Sequence, residues 1–266
     1  MILITGPGGF VGRRLMQALP DAVAAPSLRE ADLETTCRVV EDSGADTIIH
    51  TAAISDTGYC QNHPEESYRA NVALPLLLAR AVQGRKLICF SSDQVYNGSQ
   101  EPGPYTEDMA CPASVYAAHK LEMEQRVLDV LPTAVMLRAQ WMYDLPAPRP
   151  NYLWNLIQVA GPVTASARQY RGLTWLEDTV RQMPRVLTLP GGVYNFGCET
   201  AQSMYQITRH VLQCLGRDLS VEDGPARHNL WMDCQKAAQL GIQFPDTLAA
   251  LEACIDQNHL RCSREI

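Results

Sequence analysis

The chain lacks long apolar runs, paired cysteines, clustered histidines and an excess of positive charge. No hydrophobic stretch approaches the ~20 residues that cross a bilayer, and apolar strand-like sequence already begins at Ile2, which leaves no room for a signal peptide. A soluble, cytoplasmic protein without a membrane partner is therefore expected. Nine cysteines, at 37, 60, 89, 111, 198, 214, 234, 254 and 262, are odd in number and contain no CxxC pair. That scatter suits free thiols in a reducing compartment better than a disulfide framework or a zinc site. Six histidines are equally dispersed, with no HxxxH or similar spacing, so no metal is expected. Lys plus Arg number 22 against 29 for Asp plus Glu, a net charge of −7, which argues against a nucleic-acid partner.

What is present is an alternating α/β texture. At 266 residues and 46% apolar composition, the chain is long enough for one large domain, or one domain with a smaller lobe. From Ile2 to Arg138, short apolar runs alternate with longer helical ones. Strands are predicted at 2–5, 22–25, 47–50, 86–91 and 134–138, with helices at about 10–19, 33–43, 64–83 and 114–130. This order predicts a Rossmann-type, doubly wound parallel sheet covered on both faces. Pro75, inside the third helical pattern, predicts a kink there. The prolines at 146, 148 and 150 mark a boundary, giving a nucleotide-binding domain over 1–145 and a smaller substrate-binding lobe over 146–266. Helices are expected in that lobe near 151–160, 175–183, 201–216 and 246–256, with strands near Val163 and at 192–196. Some of this chain can return to the first sheet.

Two groups of residues carry chemistry. The opening ILITGPGGFVG places Gly6, Gly9 and Gly12 between a strand and a helix, where glycine lets the backbone approach a pyrophosphate and free N–H groups bind it. A tight turn without a ligand is the plainer alternative. The end of the second strand, Ala24 to Ser27, has no carboxylate to take an adenosine ribose 2′-hydroxyl, while Arg13 and Arg29 lie close in sequence. NADP(H) is therefore favoured, with NAD(H) left open. Asp32 reads both as a helix cap and as a partner for the adenine amino group. Further along, Tyr116 and Lys120 are spaced to share one helix face. A phenol is a poor acid at neutral pH unless a nearby cation lowers its pKa, and Lys120 can supply that cation. Ser92 ends a strand on the edge where such sheets bind ligands, and its hydroxyl can donate to a carbonyl oxygen.

Together these segments resemble the extended short-chain dehydrogenase/reductases, most closely the RmlD-like sugar nucleotide reductases (dTDP-4-dehydrorhamnose reductases). TGPGGFVG at 5–12 resembles their cofactor turn, and HTAAIS at 50–55 the alanines after their fourth strand. HPEESYRANV at 63–72 is similar to the helix leading to their asparagine, here Asn71. SSDQVYNG at 91–98 resembles STDYVFDG, and LRAQWMY at 137–143 resembles LRTSWVY. RQYRGLT at 168–174 is similar in place to DQxGxPT but matches it only at Gln169 and Thr174. RHNLWMDCQKAAQLGI at 227–242 resembles RPxxSxLDxxKxxxLGI, with His228 in place of proline, and ISDTGYCQN at 54–62 lacks the acid and lysine pattern of the rhamnose enzymes.

The resemblance implies that Tyr116 protonates the substrate carbonyl as hydride arrives from nicotinamide. Lys120 would lower the Tyr116 pKa and hold the ribose, and Ser92 would orient the carbonyl. It sets Phe10, Val11 and Gly12 beside the pyrophosphate, Asp32 and Leu33 beside adenine, and Ala52, Ala53 and Ile54 along the cofactor. Asp93 and Trp141 would face a nucleotide-sugar substrate, and a homodimer is compatible with the family. Gln94 stands where sugar-nucleotide dehydratases carry a glutamate, and an amide cannot abstract a proton. An epimerase, or a non-catalytic NAD(P)-binding subunit like the beta subunit of methionine adenosyltransferase, is the alternative.

Overall fold

The computed structural model describes residues 1–82, 84–145, 150–225 and 228–261. Pro146, Pro148, Arg227 and Cys262, which figured in the sequence reading, lie outside them. In chain order the elements begin with β1 (Ile2–Thr5), α1 (Phe10–Ala18), β2 (Ala22–Ala24), α2 (Leu33–Asp42), β3 (Thr47–His50), α3 (Thr57–Asn62), α4 (Pro64–Tyr68) and α5 (Leu74–Ala81). There follow β4 (Lys86–Ser92), α6 (Val115–Val130), β5 (Val135–Ala139), β6 (Trp141–Tyr143), α7 (Tyr152–Gln158), β7 (Val163–Ala165) and β8 (Leu173–Trp175). The last are α8 (Leu176–Val186), β9 (Gly192–Phe196), α9 (Met204–Cys214), β10 (Val221–Asp223), α10 (Gln235–Ala238) and α11 (Thr247–Gln257).

Six strands form one parallel sheet in the order β2-β1-β3-β4-β5-β9. The expected doubly wound fold is present. Its central strands are buried almost throughout, as the burial of Ile48, Ile49, Leu87, Ile88 and Leu137 shows, because helices cover both faces. One apolar layer gathers Leu3, Val40, Leu78, Met123 and Val127, and the other Leu15, Met183, Val186 and Ile242. Strand β9 joins this sheet beside β5, so chain from beyond residue 145 completes it. The paired strands β6 with β8 and β7 with β10 lie outside it. Around them α7, α9 and α11 bury Leu153, Leu156, Ile207, Val211 and Leu251 with Trp175.

The expected helix over 64–83 is divided. Between α4 and α5 the backbone makes a π turn over Arg69–Ala73, where the Leu74 N–H reaches back to the Arg69 carbonyl. Pro75 explains it: lacking an N–H and bulky at its ring, it sits in the first turn of a fresh α-helix while the wider turn absorbs the mismatch. The short α3, β6, β8, β10 and α10 did not stand out from the sequence. Each spans six residues or fewer, too short for a periodic pattern. The alanines Ala52 and Ala53 follow β3, the third strand of this chain, rather than a fourth.

Between β1 and β3 the winding reverses, since β2 lies on one side of β1 and all later strands of the sheet on the other. In open α/β sheets ligands bind in the crevice at the carboxyl ends of the strands flanking such a reversal. Those ends are tied together here. Thr51 donates from its N–H and Oγ1 to the Thr5 carbonyl at 3.2 and 2.7 Å, and Thr5 Oγ1 lies 2.7 Å from His50 Nδ1. Burial pushes His50 down to about 3, so it stays neutral between the strands.

Candidate active site

The turn after β1 is shaped by what cannot fit in it. Gly6 has φ +69°, and a Cβ there would lie 2.8 Å from the Ala52 backbone. A Cβ on Gly12 would lie 2.1 Å from the Gly6 carbonyl. Glycine at both positions lets β1, α1 and the segment after β3 close on one another. Gly9 is the N-cap of α1 and offers no side chain to its first N–H groups, which leaves them for an anion.

Two hollows meet at this turn. One, of about 610 Å³, is lined by Gly6, Pro7, Ala25 to Glu30, Ala52 to Ile54, Glu66 and Arg69. The other, of about 620 Å³, is lined by Gly6, Gly9, Phe10, Val11, Ala52, Ala53, Ser92, Asp93, Gln94, Tyr116, Lys120, Gln140, Trp141 and Arg171, among others. They share Gly6, Ala52 and Ala53. A bipartite site folded about a glycine turn, with N–H groups at its middle, suits a dinucleotide.

Helix α6 carries the phenol and ammonium to the second hollow. Its start is fixed by Ser114, whose Oγ accepts from the Ala117 N–H at 3.3 Å and from Asn97 Nδ2 at 2.9 Å. Lys120 is 2% exposed and donates to the Phe90 carbonyl at 2.9 Å, with its Nζ 5.9 Å from the Tyr116 ring centroid. Burial lowers it to about 8. Tyr116 is 6% exposed, and burial pushes its phenol well above the ordinary value while the Ser92 hydroxyl works in the opposite direction. Among the influences on the phenol, burial outweighs any cation, and Lys120 is not one of the principal ones. Ser92 also caps the short turn Asp93–Tyr96 by accepting from the Gln94 N–H at 3.2 Å.

Beneath these groups runs a buried network. Arg138 of β5 forks onto Glu124 of α6 at 2.6 to 3.2 Å, and Ser91 of β4 donates to the same carboxylate at 2.5 Å. Arg138 also donates to Tyr96 Oη and the Glu107 carbonyl, both at 2.7 Å. It locks α6 to the sheet and thereby sets the position of residues 116 and 120.

Other sequence candidates fall differently. Asp32 caps α2 through the Thr35 N–H at 2.8 Å, the Thr35 hydroxyl and N–H together hold its carboxyl below the usual range, and neither it nor Leu33 lines either hollow. The loop after β2 instead supplies Pro26 to Glu30 to the first hollow. Arg13 lines another hollow, with Phe10, Arg14, Gln17 and Asp144, and is not among the residues lining the two described above. Arg29 and Arg69 do line the first hollow, Arg69 standing where α4 passes into the π turn. Asn71 is fully buried, accepts from the Ile54 N–H at 3.2 Å and donates to the Ile54 carbonyl at 3.0 Å, so it holds the cofactor-side loop from beneath. Gly12 likewise acts through close packing. Gln140 and Arg171 were not singled out from sequence; RQYRGLT carried the signal, as an arginine where the compared pattern has glycine. Away from the site, His210, Cys214 and Glu252 gather between α9 and α11, where His210 Nε2 lies 2.6 Å from Glu252 Oε1.

The sheet order and the arrangement at its carboxyl edge define a doubly wound, nucleotide-binding α/β protein of the short-chain dehydrogenase/reductase type. The RmlD substrate binding domain model matches residues 1–257, and the chain belongs to that family. It is similar to a dTDP-4-dehydrorhamnose reductase of Mycobacterium tuberculosis, 33% identical over 152 residues that make up 53% of this chain and 50% of that one. A probable dTDP-4,6-dihydroxy-2-methyloxan-3-one 4-ketoreductase of Streptomyces antibioticus is 26% identical over 231 residues, covering 81% of this chain and 77% of that one. The first of these matches spans about half the length of its relative. Among solved structures, the dTDP-4-dehydrorhamnose reductase of Bacillus anthracis, crystallised with NADP, superposes with a TM-score of 0.84 at 19% identity, over 96% of this chain and 98% of that one.

Proposed function

We propose that the protein is an NAD(P)H-dependent reductase of a keto sugar nucleotide. The observation that carries this reading is the convergence of Ser92, Tyr116 and Lys120 on one cavity that shares its glycine turn with a second hollow. A nicotinamide dinucleotide, when bound, supplies the hydride. The Gly6, Gly9 and α1 backbone would hold its pyrophosphate, and Ala52 to Ile54 would flank it. Tyr116 gives its proton to the carbonyl oxygen, turning it into a hydroxyl, and Ser92 holds that oxygen by a hydrogen bond. Lys120, with its ammonium on the same helix face, would hold the ribose.

NADPH is the preferred form. Arg29 and Arg69 line the first hollow, and β2 ends in Ala24 with Ala25 and Pro26 after it rather than a carboxylate, although Glu30 and Glu66 also line the hollow. Dehydration is disfavoured because Gln94, which lines the same cavity, has no basic oxygen strong enough to take a carbon-bound proton.

The test is NADPH consumption with a panel of dTDP- and UDP-linked 4-keto sugars. A reductase consumes cofactor in step with product, whereas an epimerase returns it and a non-catalytic subunit leaves it untouched. Tyr116→Phe should lower turnover by about 10²–10⁴-fold while NADPH affinity stays within about twofold. Turnover at the parent rate in that variant would overturn the role given to the phenol.

A further inference from the structure

Asp93 and Trp141 both line the cavity that holds Tyr116, yet neither meets it alone. Arg171, arriving just before β8, donates from Nε to Asp93 Oδ2 at 2.9 Å and from Nη2 to Asp93 Oδ1 at 3.1 Å. Its guanidinium carbon also lies 5.1 Å from the centroid of the Trp141 ring. The carboxylate of Asp93 is 1% exposed and the Arg171 side chain 15%, so the pair is largely withdrawn from water. Arg171 is held in place by its own backbone, which bridges to Leu230 in parallel fashion. It stands at the position where the family pattern compared above, DQxGxPT, has glycine.

This pairing changes what the cavity can read. Asp93 without a partner would offer two acceptor oxygens to sugar hydroxyls. With both engaged, that wall presents a donor instead. A guanidinium has a second, planar edge beyond the one used by Asp93, and that edge matches a carboxylate in two parallel hydrogen bonds. Nη1, on that edge, has no hydrogen-bond partner among the described residues. Gln140, lining the same cavity, takes the Thr174 hydroxyl on Oε1 at 3.0 Å, and its amide is packed against Gly172 and Gly197, so its buried Nε2 is not offered to a ligand. The outer edge of Arg171 is thus the donor that this wall offers.

We propose that Arg171 is a specificity-determining residue which makes the site take sugar nucleotides bearing a carboxylate on the sugar ring, in preference to those bearing a hydroxymethyl group there. The proposal rests on the reductase reading and names its substrate class.

The experiment measures binding by calorimetry with NADP⁺ present, using UDP-glucuronate against UDP-glucose and dTDP-glucuronate against dTDP-glucose. Each pair differs only in the carboxylate. The uronate should bind about ten- to a hundredfold more tightly in the parent protein. Arg171→Met should abolish that difference without moving NADP⁺ affinity, and Arg171→Lys should restore part of it. Because Arg171→Met strands a buried carboxyl, the double variant Asp93→Asn/Arg171→Met provides the same comparison with that group neutral. Equal affinity for both members of each pair in the parent, failure of every uronate to bind, or a preference that survives in both Met variants overturns the proposal. NADP⁺ binding separates the two ideas: its absence sinks the reductase reading, while NADP⁺ binding without an acid preference sinks this inference alone.

Discussion

Lys120 has an ordinary value of 10.5 and is brought down to about 8 by burial. The sign of its effect differs for stability and for turnover. Below about pH 8 the ammonium is present in both folded and unfolded chains, and the cost of burying it is fully felt. Between about 8 and 10.5 the unfolded chain binds a proton that the folded one has released, so this group's contribution to stability rises with pH. Turnover needs the charge, so kcat/KM of the free enzyme should fall as pH rises through about 8, and in Lys120→Met that inflection should vanish along with most of the activity. A pH–rate profile checks both; an inflection unchanged in Lys120→Met assigns it to another group. Ser92 is a single positioned donor, so Ser92→Ala should cost about 10²–10³ in kcat. Arg29 and Arg69 belong to the same scale. Arg29→Ala should narrow the ratio of kcat/KM for NADPH over NADH, by about tenfold for one lost charged hydrogen bond, and an unchanged ratio in both Arg29→Ala and Arg69→Ala removes them from cofactor choice.

At the scale of elements, α1 and α6 are held by opposite means. Helix α1 sits where it does because nothing occupies the space at Gly12. Gly12→Ala should push it away from β1 at about 1–3 kcal/mol and weaken NADPH binding, measured by urea unfolding and fluorescence titration on the same samples. Helix α6 is pinned by charge. Removing the Glu124 carboxylate leaves Arg138 buried without a counterion, so Glu124→Ala should cost about 3–5 kcal/mol and lower the unfolding midpoint accordingly. The helix pattern at 114–130 was legible from sequence, since periodicity is local, whereas its Ser114 cap emerged only from the structure. The division at Pro75 was legible as a disturbance, but the π turn over Arg69–Ala73 was not, because it depends on what the helix packs against. Asp32 illustrates the reverse: the sequence offered it as cap or as adenine partner, and in the fold its carboxylate is taken up by the Thr35 N–H.

For the whole molecule, the two hollows meeting at one turn imply that a bound dinucleotide ties β1, α1 and the segment after β3 together. Binding that stabilises only the folded state adds about 2.7 kcal/mol at a hundred times Kd, so saturating NADPH should raise the melting temperature by about 5–10 °C. Calorimetry that finds no shift with NADPH or NADH counts against the cofactor site itself. Alternation of apolar runs, the glycine turn, and a tyrosine and lysine one helical turn apart were settled by the chain's own order, because sheet class, tight turns and helix faces follow from interactions a few residues long. Tertiary structure decided the rest. Arg13 and Arg29 look alike in sequence, but Arg29 lines the first hollow while Arg13, on α1, lines another. Asp93 and Arg171 lie 78 positions apart and meet as a bidentate pair only because the chain returns to the sheet's carboxyl edge. No local pattern encodes a contact of that reach; it forms because a buried carboxylate must find a charge, and the fold brings one within 3 Å.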